Sequence, residues 1–354
     1  KKCSDYNYFM NETKKTAVVA MSGGVDSSVT ALLLQQQGYK VIGLTGKMVE
    51  SNVPDNAKRV ADKLGIELHV FDAVEKFNEK VINYFVEDYK NGRTPNPCIM
   101  CNEFIKWGVL FDYATDVLGA DVFATGHYAD VRCDNGIYKL YPAKDEHKDQ
   151  LYFLYRLGQK QLSKTIFPLY HYEKAQVKQM AIDYDLPPKD SKESQDICFI
   201  PDGDYAAFIE REGKLTGMPG NFVDMDGTIL GKHKGLIHYT IGQRKGLGIA
   251  LGKPAFVYRL DTEKNEVVLS DNAALFRTTL CADNLAYMAY DKFEDGQRFL
   301  AKIRYAHKPA WCTVRMVGED KLEVVFDEPQ RAITPGQSLV LYDGEFVAGG
   351  GFVL

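Results

Sequence analysis

Along the first two hundred residues, short apolar runs alternate with segments whose apolar positions recur at helical spacing. TAVVAM (16–21) reads as a strand, Asp26–Gln37 as a helix with an aliphatic face, and KVIGLT (40–45) as a second strand. Gly38 stands where a helix-ending glycine belongs. A helical DNAKRVADKLG, a strand IELHVFDA, a long helix near Glu75–Lys90 and a strand DVFAT (121–125) continue the alternation. Such spacing predicts βαβ units and a parallel sheet that takes its ligand at the carboxyl ends of the strands.

The pattern changes past Asp202, where glycine and short apolar runs dominate and helical periodicity stops after Glu212. Beyond Ala273 alternating strands follow, such as LEVVF (322–326) and SLVLY (338–342), the second closed by an Asp343–Gly344 turn. This predicts an α/β domain over 1–202, a small central domain over 203–273 and a strand-rich domain over 274–354.

Composition adds limits. The chain has 354 residues, 45% hydrophobic and 26% charged, as in an ordinary globular protein. Its N-terminus has no apolar core of signal-peptide length, and no apolar run is long enough to span a membrane. Lys1 is not a natural start, so residues are expected to be missing or processed upstream. Seven scattered cysteines, an odd count, fit a reducing compartment, and a cytoplasmic location is expected. A net charge of −5 speaks weakly against nucleic acid, yet Ile229–Leu260 holds six Lys or Arg and no acid. Leu300–Met316 holds four more, again without an acid. These blocks are either solvated faces of small β-domains or a surface for a polyanion.

Between the first strand and first helix lies SGGVDSS, Ser22–Ser28. Its glycines let backbone N–H groups converge without a Cβ in the way, and the next helix points its positive end at the same place. The lysine of a GxxxxGK[ST] loop is absent, so release of pyrophosphate suits it better than γ-phosphoryl transfer. The motif is the PP-loop signature of the ATP pyrophosphatases, whose members adenylate a carboxylate, a purine carbonyl or a tRNA base. Against this stands a plain glycine turn capped by Asp26 or Ser27.

The thiols separate these substrates. No ammonia-producing domain is evident, whereas NPCIMCN (96–102) carries Cys98 and Cys101, and SQDICFI (194–200) carries Cys198. Replacing a carbonyl oxygen by sulfur needs a leaving group, which AMP provides, and a soft nucleophile, which a persulfide or metal-bound sulfide provides. Pro95 and Pro97 predict that the helix begins after them, with Cys101 at its mouth and apolar positions recurring to Leu118. A thiol there would have a lowered pKa. Inert core cysteines are the bland reading for all three; Cys3, Cys133, Cys281 and Cys312 are read as structural.

With ATGHYAD (124–130), KDQLYFLY (148–155), SQDICFIPDGDY (194–205), GLIHYTIGQRKGLGI (235–249) and TPGQSLVLYDGE (334–345), the chain resembles the tRNA-specific 2-thiouridylases from Thr16 to its end. The resemblance implies a PP-loop α/β domain, a small central domain and a C-terminal β-barrel. It implies thiolation of C2 of a wobble uridine, with ATP and Mg²⁺, tRNA through its anticodon stem-loop, and a sulfur donor such as a cysteine desulfurase or relay protein. A monomer is expected. By matching position, Ala20, Met21, Ser22, Gly23, Gly24, Val25, Asp26, Ser27 and Gly126 hold ATP, with Gly46 from the looser match at Leu44–Lys47. Cys101 is the nucleophile and Cys198 carries the persulfide. Asn96, Pro97 and Cys98 approach the base; His127, Lys148, Asp149, Gln150, Arg304, Tyr305 and Gln337 contact tRNA.

One departure stands out. Many family members carry Asp where this chain has Cys98, so the acid–base or positioning role given to that Asp is in doubt. Cys98, Cys101 and Cys198 could instead hold three irons of a [4Fe–4S] cluster. Two competing readings are a PP-loop synthetase acting on another substrate, such as argininosuccinate or GMP synthesis, and a non-enzymatic tRNA-binding or redox module.

Overall fold

The computed structural model describes residues 14–50, 55–187, 197–214 and 217–354. Cys3 and Ser194–Asp196 lie outside these residues. The chain divides into two compact units: 1–78, 99–193 and 345–347 form one, and 79–98, 194–344 and 348–354 form the other.

The first unit is a five-stranded parallel sheet. Its strands are β1 (Thr16–Ala20), β2 (Lys40–Lys47), β3 (Glu67–Asp72) and β4 (Val122–Ala124). A hairpin of β5 (Asp130–Asp134) and β6 (Ile137–Tyr141) stands apart, and the short β7 (Thr165–Ile166) completes the sheet. The order is β3-β2-β1-β4-β7. β1–β3 therefore run one way across the sheet, while β4 pairs on the other side of β1. That reversal opens a crevice at the carboxyl ends of β1 and β4, where doubly wound sheets bind ligands. Both faces of β1 and β4 are covered, as their continuous apolar runs require. On one face Ala17, Val19 and Met21 pack with Leu34 and Val60, and on the other Phe123 packs with Trp107 and Phe111.

In the second unit, β8 (Gly220–Val223), β9 (Ile229–His233), β10 (Phe256–Asp261) and β11 (Glu266–Ser270) form a sheet ordered β10-β11-β8-β9. β12 (Phe276–Tyr287), β13 (Arg298–Lys302), β14 (Ala310–Met316), β15 (Lys321–Arg331), β16 (Ser338–Asp343) and β17 (Phe346–Val353) form a closed barrel. It closes because β12 pairs with both β15 and β17. Leu280, Phe293, Phe299, Val314 and Leu341 fill its interior. An α/β fold with a parallel-sheet N-terminal domain, a small central domain and a C-terminal β-barrel is thus observed. Among the described residues, no helix is long and apolar enough to cross a membrane.

Candidate active site

The loop after β1 folds on its own hydroxyls. The Gly24 carbonyl accepts from Ser28 Oγ at 2.8 Å and Ser27 Oγ at 3.1 Å, and Gly24 N–H donates to Ser22 Oγ at 3.3 Å. Ser27 and Ser28 are buried, so their hydroxyls stiffen the loop. Gly23 has φ +77°, and a Cβ there would lie 2.7 Å from Ala57 N. Gly126, just past β4, presses on the start of helix Val25–Gln36: a Cβ on it would lie 2.8 Å from Ser27 N and 2.9 Å from the Asp26 carbonyl carbon. Ala20 and Met21 end β1, with Met21 N–H bonded to Leu44 O at 2.8 Å, and Gly46 lies near the end of β2. The nucleotide residues expected from the sequence therefore gather at the crevice edge of one sheet.

Two residues that sequence reading missed complete this edge. Lys174 opens helix Lys174–Asp183, is only 9% exposed, and sets its Nζ 2.6 Å from both carboxylate oxygens of Asp26. Tyr128 donates its hydroxyl to Asp26 Oδ1 at 3.1 Å. No spacing motif flags either one, because the partners come from distant parts of the chain. Asp26 is the single carboxylate of the loop, and one carboxylate beside hydroxyls suits Mg²⁺, which keeps phosphate oxygens and water as most of its ligands.

Behind the crevice His127 is buried against Trp107, ring centroids 5.3 Å apart. Its Nδ1 is 2.7 Å from Thr125 Oγ1 and its Nε2 is 3.4 Å from Lys106 Nζ. Burial first, then the Lys106 charge, holds the imidazole well below its ordinary pKa. It is therefore neutral at pH 7, and the ammonium assigns Nε2 as acceptor and Nδ1 as the protonated nitrogen. Gln150 locks the same turn from the other side. Its side-chain oxygen accepts from Tyr128 N–H at 2.9 Å, and its own N–H donates to Tyr128 O at 3.1 Å. Asp149 Oδ1 accepts from Leu151 N–H at 3.2 Å, and Lys148 is half-buried beside it.

The thiols sit differently from expectation. Asn96 Oδ1 accepts the Cys98 N–H at 3.2 Å, and helix Pro97–Met100 starts there. Asn96 is thus a cap and Pro97 the first helical residue, where the missing N–H costs nothing. The expectation that Cys101 opens the helix is corrected: it lies a turn further in, at the start of wide π-type turns over Cys101–Leu110. Cys98 is exposed and Cys101 half-buried. After Cys101, Asn102 is 2% exposed, donates to Phe153 O at 2.9 Å, and its Oδ1 has no hydrogen-bond partner among the described residues.

In the second unit, Cys198 is exposed in a turn closed by Ile200 N–H to Ile197 O at 2.8 Å. Its neighbour Phe199 anchors that turn, edge-on to Phe85 at 5.6 Å and 5.2 Å from Phe208. The apolar run around Cys198 is therefore a tether that leaves the thiol outside. Also in this unit, Gln337 Nε2 donates to Thr94 O at 2.8 Å, and Thr94 N–H donates to Pro335 O at 2.8 Å. That pins the segment carrying Asn96, Pro97 and Cys98 to the turn before β16. Arg304 donates to the carbonyls of Arg331 and Ala332 at 3.1 and 3.3 Å, and Tyr305 beside it is 40% exposed.

Among the described residues, no three His, Cys, Asp or Glu side chains gather as a metal site. The iron–sulfur expectation for Cys98, Cys101 and Cys198 has no support in this arrangement. Cys312 is buried and structural, its thiol pushed up to about 12 by desolvation.

The first family model, described as a tRNA methyl transferase HUP domain, matches residues 15–202. A tRNA methyl transferase PRC-barrel domain matches 207–271, and an aminomethyltransferase beta-barrel domain matches 277–353. A protein of Lachnoclostridium phytofermentans named tRNA-specific 2-thiouridylase MnmA is 47% identical over 356 residues, 96% of this chain and 99% of that one. Its namesake in Clostridioides difficile is 46% identical over 360 residues, 98% of this chain and 99% of that one. Among solved structures, a 4-thiouridine synthetase–RNA complex with bound ATP aligns at TM-score 0.37 and 18% identity, covering 56% of this chain and 50% of that one.

Proposed function

This chain belongs to the family of tRNA-specific 2-thiouridylases, and from that premise we propose that it replaces the C2 oxygen of a wobble uridine by sulfur at the expense of ATP. The observation that carries the reading is the site itself: a glycine loop at the β1/β4 crevice in a chain that also presents Cys101 and the exposed Cys198. The crevice suits a nucleotide, and the thiols suit a soft nucleophile.

The uridine must leave its stack, because C2 is inaccessible within the anticodon loop. Its C2 oxygen attacks the α-phosphorus of ATP, the bond to pyrophosphate breaks with its electron pair going to pyrophosphate, and the N3 proton passes to water. Mg²⁺, where bound at Asp26, neutralises part of the triphosphate charge. Gly23, Gly24 and Gly126 let backbone N–H groups reach the phosphates, and the start of helix Val25–Gln36 adds its dipole.

Sulfur arrives from a donor protein and is held as a persulfide on Cys198. In one branch its terminal sulfur attacks C2 and AMP leaves with the C2–O electron pair, after which Cys101 attacks Cys198 Sγ and breaks the S–S bond so that the sulfur stays on C2. In the other, Cys101 attacks Cys198 Sγ first and frees sulfide, which then displaces AMP. In both branches Cys101 and Cys198 end as a disulfide, which a thiol reductant reopens with two electrons. Asn96, Pro97 and Cys98 approach the base, while His127, Lys148, Asp149, Gln150, Arg304, Tyr305 and Gln337 serve the tRNA. For His127 and Gln150 the observed bonds support an indirect part: they hold the Gly126–Tyr128 turn. The thiols in use favour the cytoplasm.

Purified protein incubated with ATP, Mg²⁺ and an anticodon stem-loop should release pyrophosphate only when the RNA is present. Release independent of RNA would favour a different PP-loop synthetase, and none at all would favour a binding module.

A further inference from the structure

The loop Ser22–Ser28 has no lysine, yet adenylation builds negative charge on the pyrophosphate leaving the α-phosphorus. A helix terminus supplies only about half a charge. The structure places an ammonium at this loop, that of Lys174 on Asp26. We propose that Lys174 is a catalytic residue for adenylation: when MgATP sits on the loop, its Nζ leaves Asp26 for the triphosphate and stabilises the departing pyrophosphate. This deepens the adenylation reading above and rests on it.

The placement is built. Lys174 N–H donates to Asp145 Oδ2 at 2.9 Å, and Glu173 with Gln176 forms a capping box that fixes the helix start. The side chain then runs through buried surroundings to the first-turn carboxylate of helix Val25–Gln36. Stability does not explain such a pair. Val29 and Leu33 on that helix already pack against Val177 and Ala181 of the lysine's own helix. The pair is only partly buried, with the Asp26 side chain 30% exposed towards the crevice, and an ion pair so placed adds little to stability.

The surroundings also permit exchange. Tyr128 bonds the same Asp26 oxygen at 3.1 Å, so Asp26 keeps a partner when the ammonium moves. The Tyr128 ring lies 5.7 Å from Nζ and offers the cation an aromatic face along the way. Lysine's flexible four-carbon stem suits a charge that shifts between two anions. In the step itself Lys174 gives up no proton; the C2 oxygen bonds to phosphorus, pyrophosphate takes the electron pair, and N3–H is lost to water.

Lys174→Met keeps the stem and removes the charge. Assayed as full-length enzyme with ATP, Mg²⁺ and stem-loop RNA, it should release pyrophosphate about 100-fold more slowly in a single turnover. Its melting temperature and RNA affinity should stay near those of the parent, and its affinity for a non-hydrolysable ATP analogue should fall by less than about tenfold. In Lys174→Ala, added ethylammonium should restore part of the rate and tetramethylammonium none. A pyrophosphate rate for Lys174→Met within about threefold of the parent overturns the proposal. So does a loss that tracks a lowered melting temperature and is not rescued by ethylammonium. A parent that itself releases no pyrophosphate sinks the adenylation reading and this inference together; a parent that adenylates beside an unaffected variant sinks the inference alone.

Discussion

At Gly126 the closest neighbours are backbone atoms of Asp26 and Ser27, which cannot rotate away from an added methyl group. Gly126→Ala should therefore push the loop off the start of its helix. We expect pyrophosphate release to fall about 100-fold while RNA affinity holds, checked by single-turnover assay and filter binding. Cys101→Ser and Cys198→Ser should each abolish sulfur transfer and spare adenylation; full thiolation by either would contradict their roles. His127 allows a pH test. Its folded pKa is lowered by burial, so the unfolded chain takes up a proton before the folded one does. Its stability contribution is intact above the unfolded value of about 6.5 and is lost as pH falls from there towards the folded value, by up to about 1.4 kcal/mol per unit. His127→Asn should flatten that slope in denaturant titrations between pH 6.5 and 5. The glycine loop was legible because a turn at the end of β1 that packs this closely demands fixed residue types at fixed spacing. Lys174 was not: 148 residues separate it from Asp26, and a single lysine in HYEKAQVKQM carries no periodic signal.

At the scale of elements, apolar runs located β1, β2 and β4 well, because strands buried on both faces must be apolar throughout. By contrast β3, with Glu67 and Val70 exposed, shows a mixed pattern. Helix starts were read less well. Pro97 on its own reads as a barrier, whereas with Asn96 before it the same proline opens the helix. The π-type turns after Cys101 left no trace in the spacing of apolar residues; they include a break at Gly108 (φ −98°, ψ −109°), beside buried Trp107, whose indole donates to Thr165 Oγ1 at 2.9 Å. If Asn96 is the cap, Asn96→Ala should cost about 1 kcal/mol and Asn96→Asp far less. Urea unfolding with an unchanged m-value is the measurement; equal losses for the two variants would remove the cap assignment.

For the molecule as a whole, the sequence suggested its layers but not how its segments are shared. Residues 79–98 lie next to the first unit in sequence, yet they belong with the barrel. The bonds responsible, such as Gln337 to Thr94, cross 243 positions and have no local signature. The two acid-free basic blocks likewise fall in the second unit, 229–260 and 300–316. If they face the phosphate backbone, the logarithm of RNA affinity should fall linearly with the logarithm of salt concentration. Arg244→Ala and Lys253→Ala should each lower that slope by about one. An unchanged slope would return these blocks to ordinary solvated surface.

The most direct test combines purified protein, ATP, Mg²⁺, a uridine-containing anticodon stem-loop and sulfide, followed by mass spectrometry of the digested RNA. The account predicts AMP and a uridine heavier by the exchange of oxygen for sulfur, in matching amounts. Unaltered uridine with no AMP would contradict it.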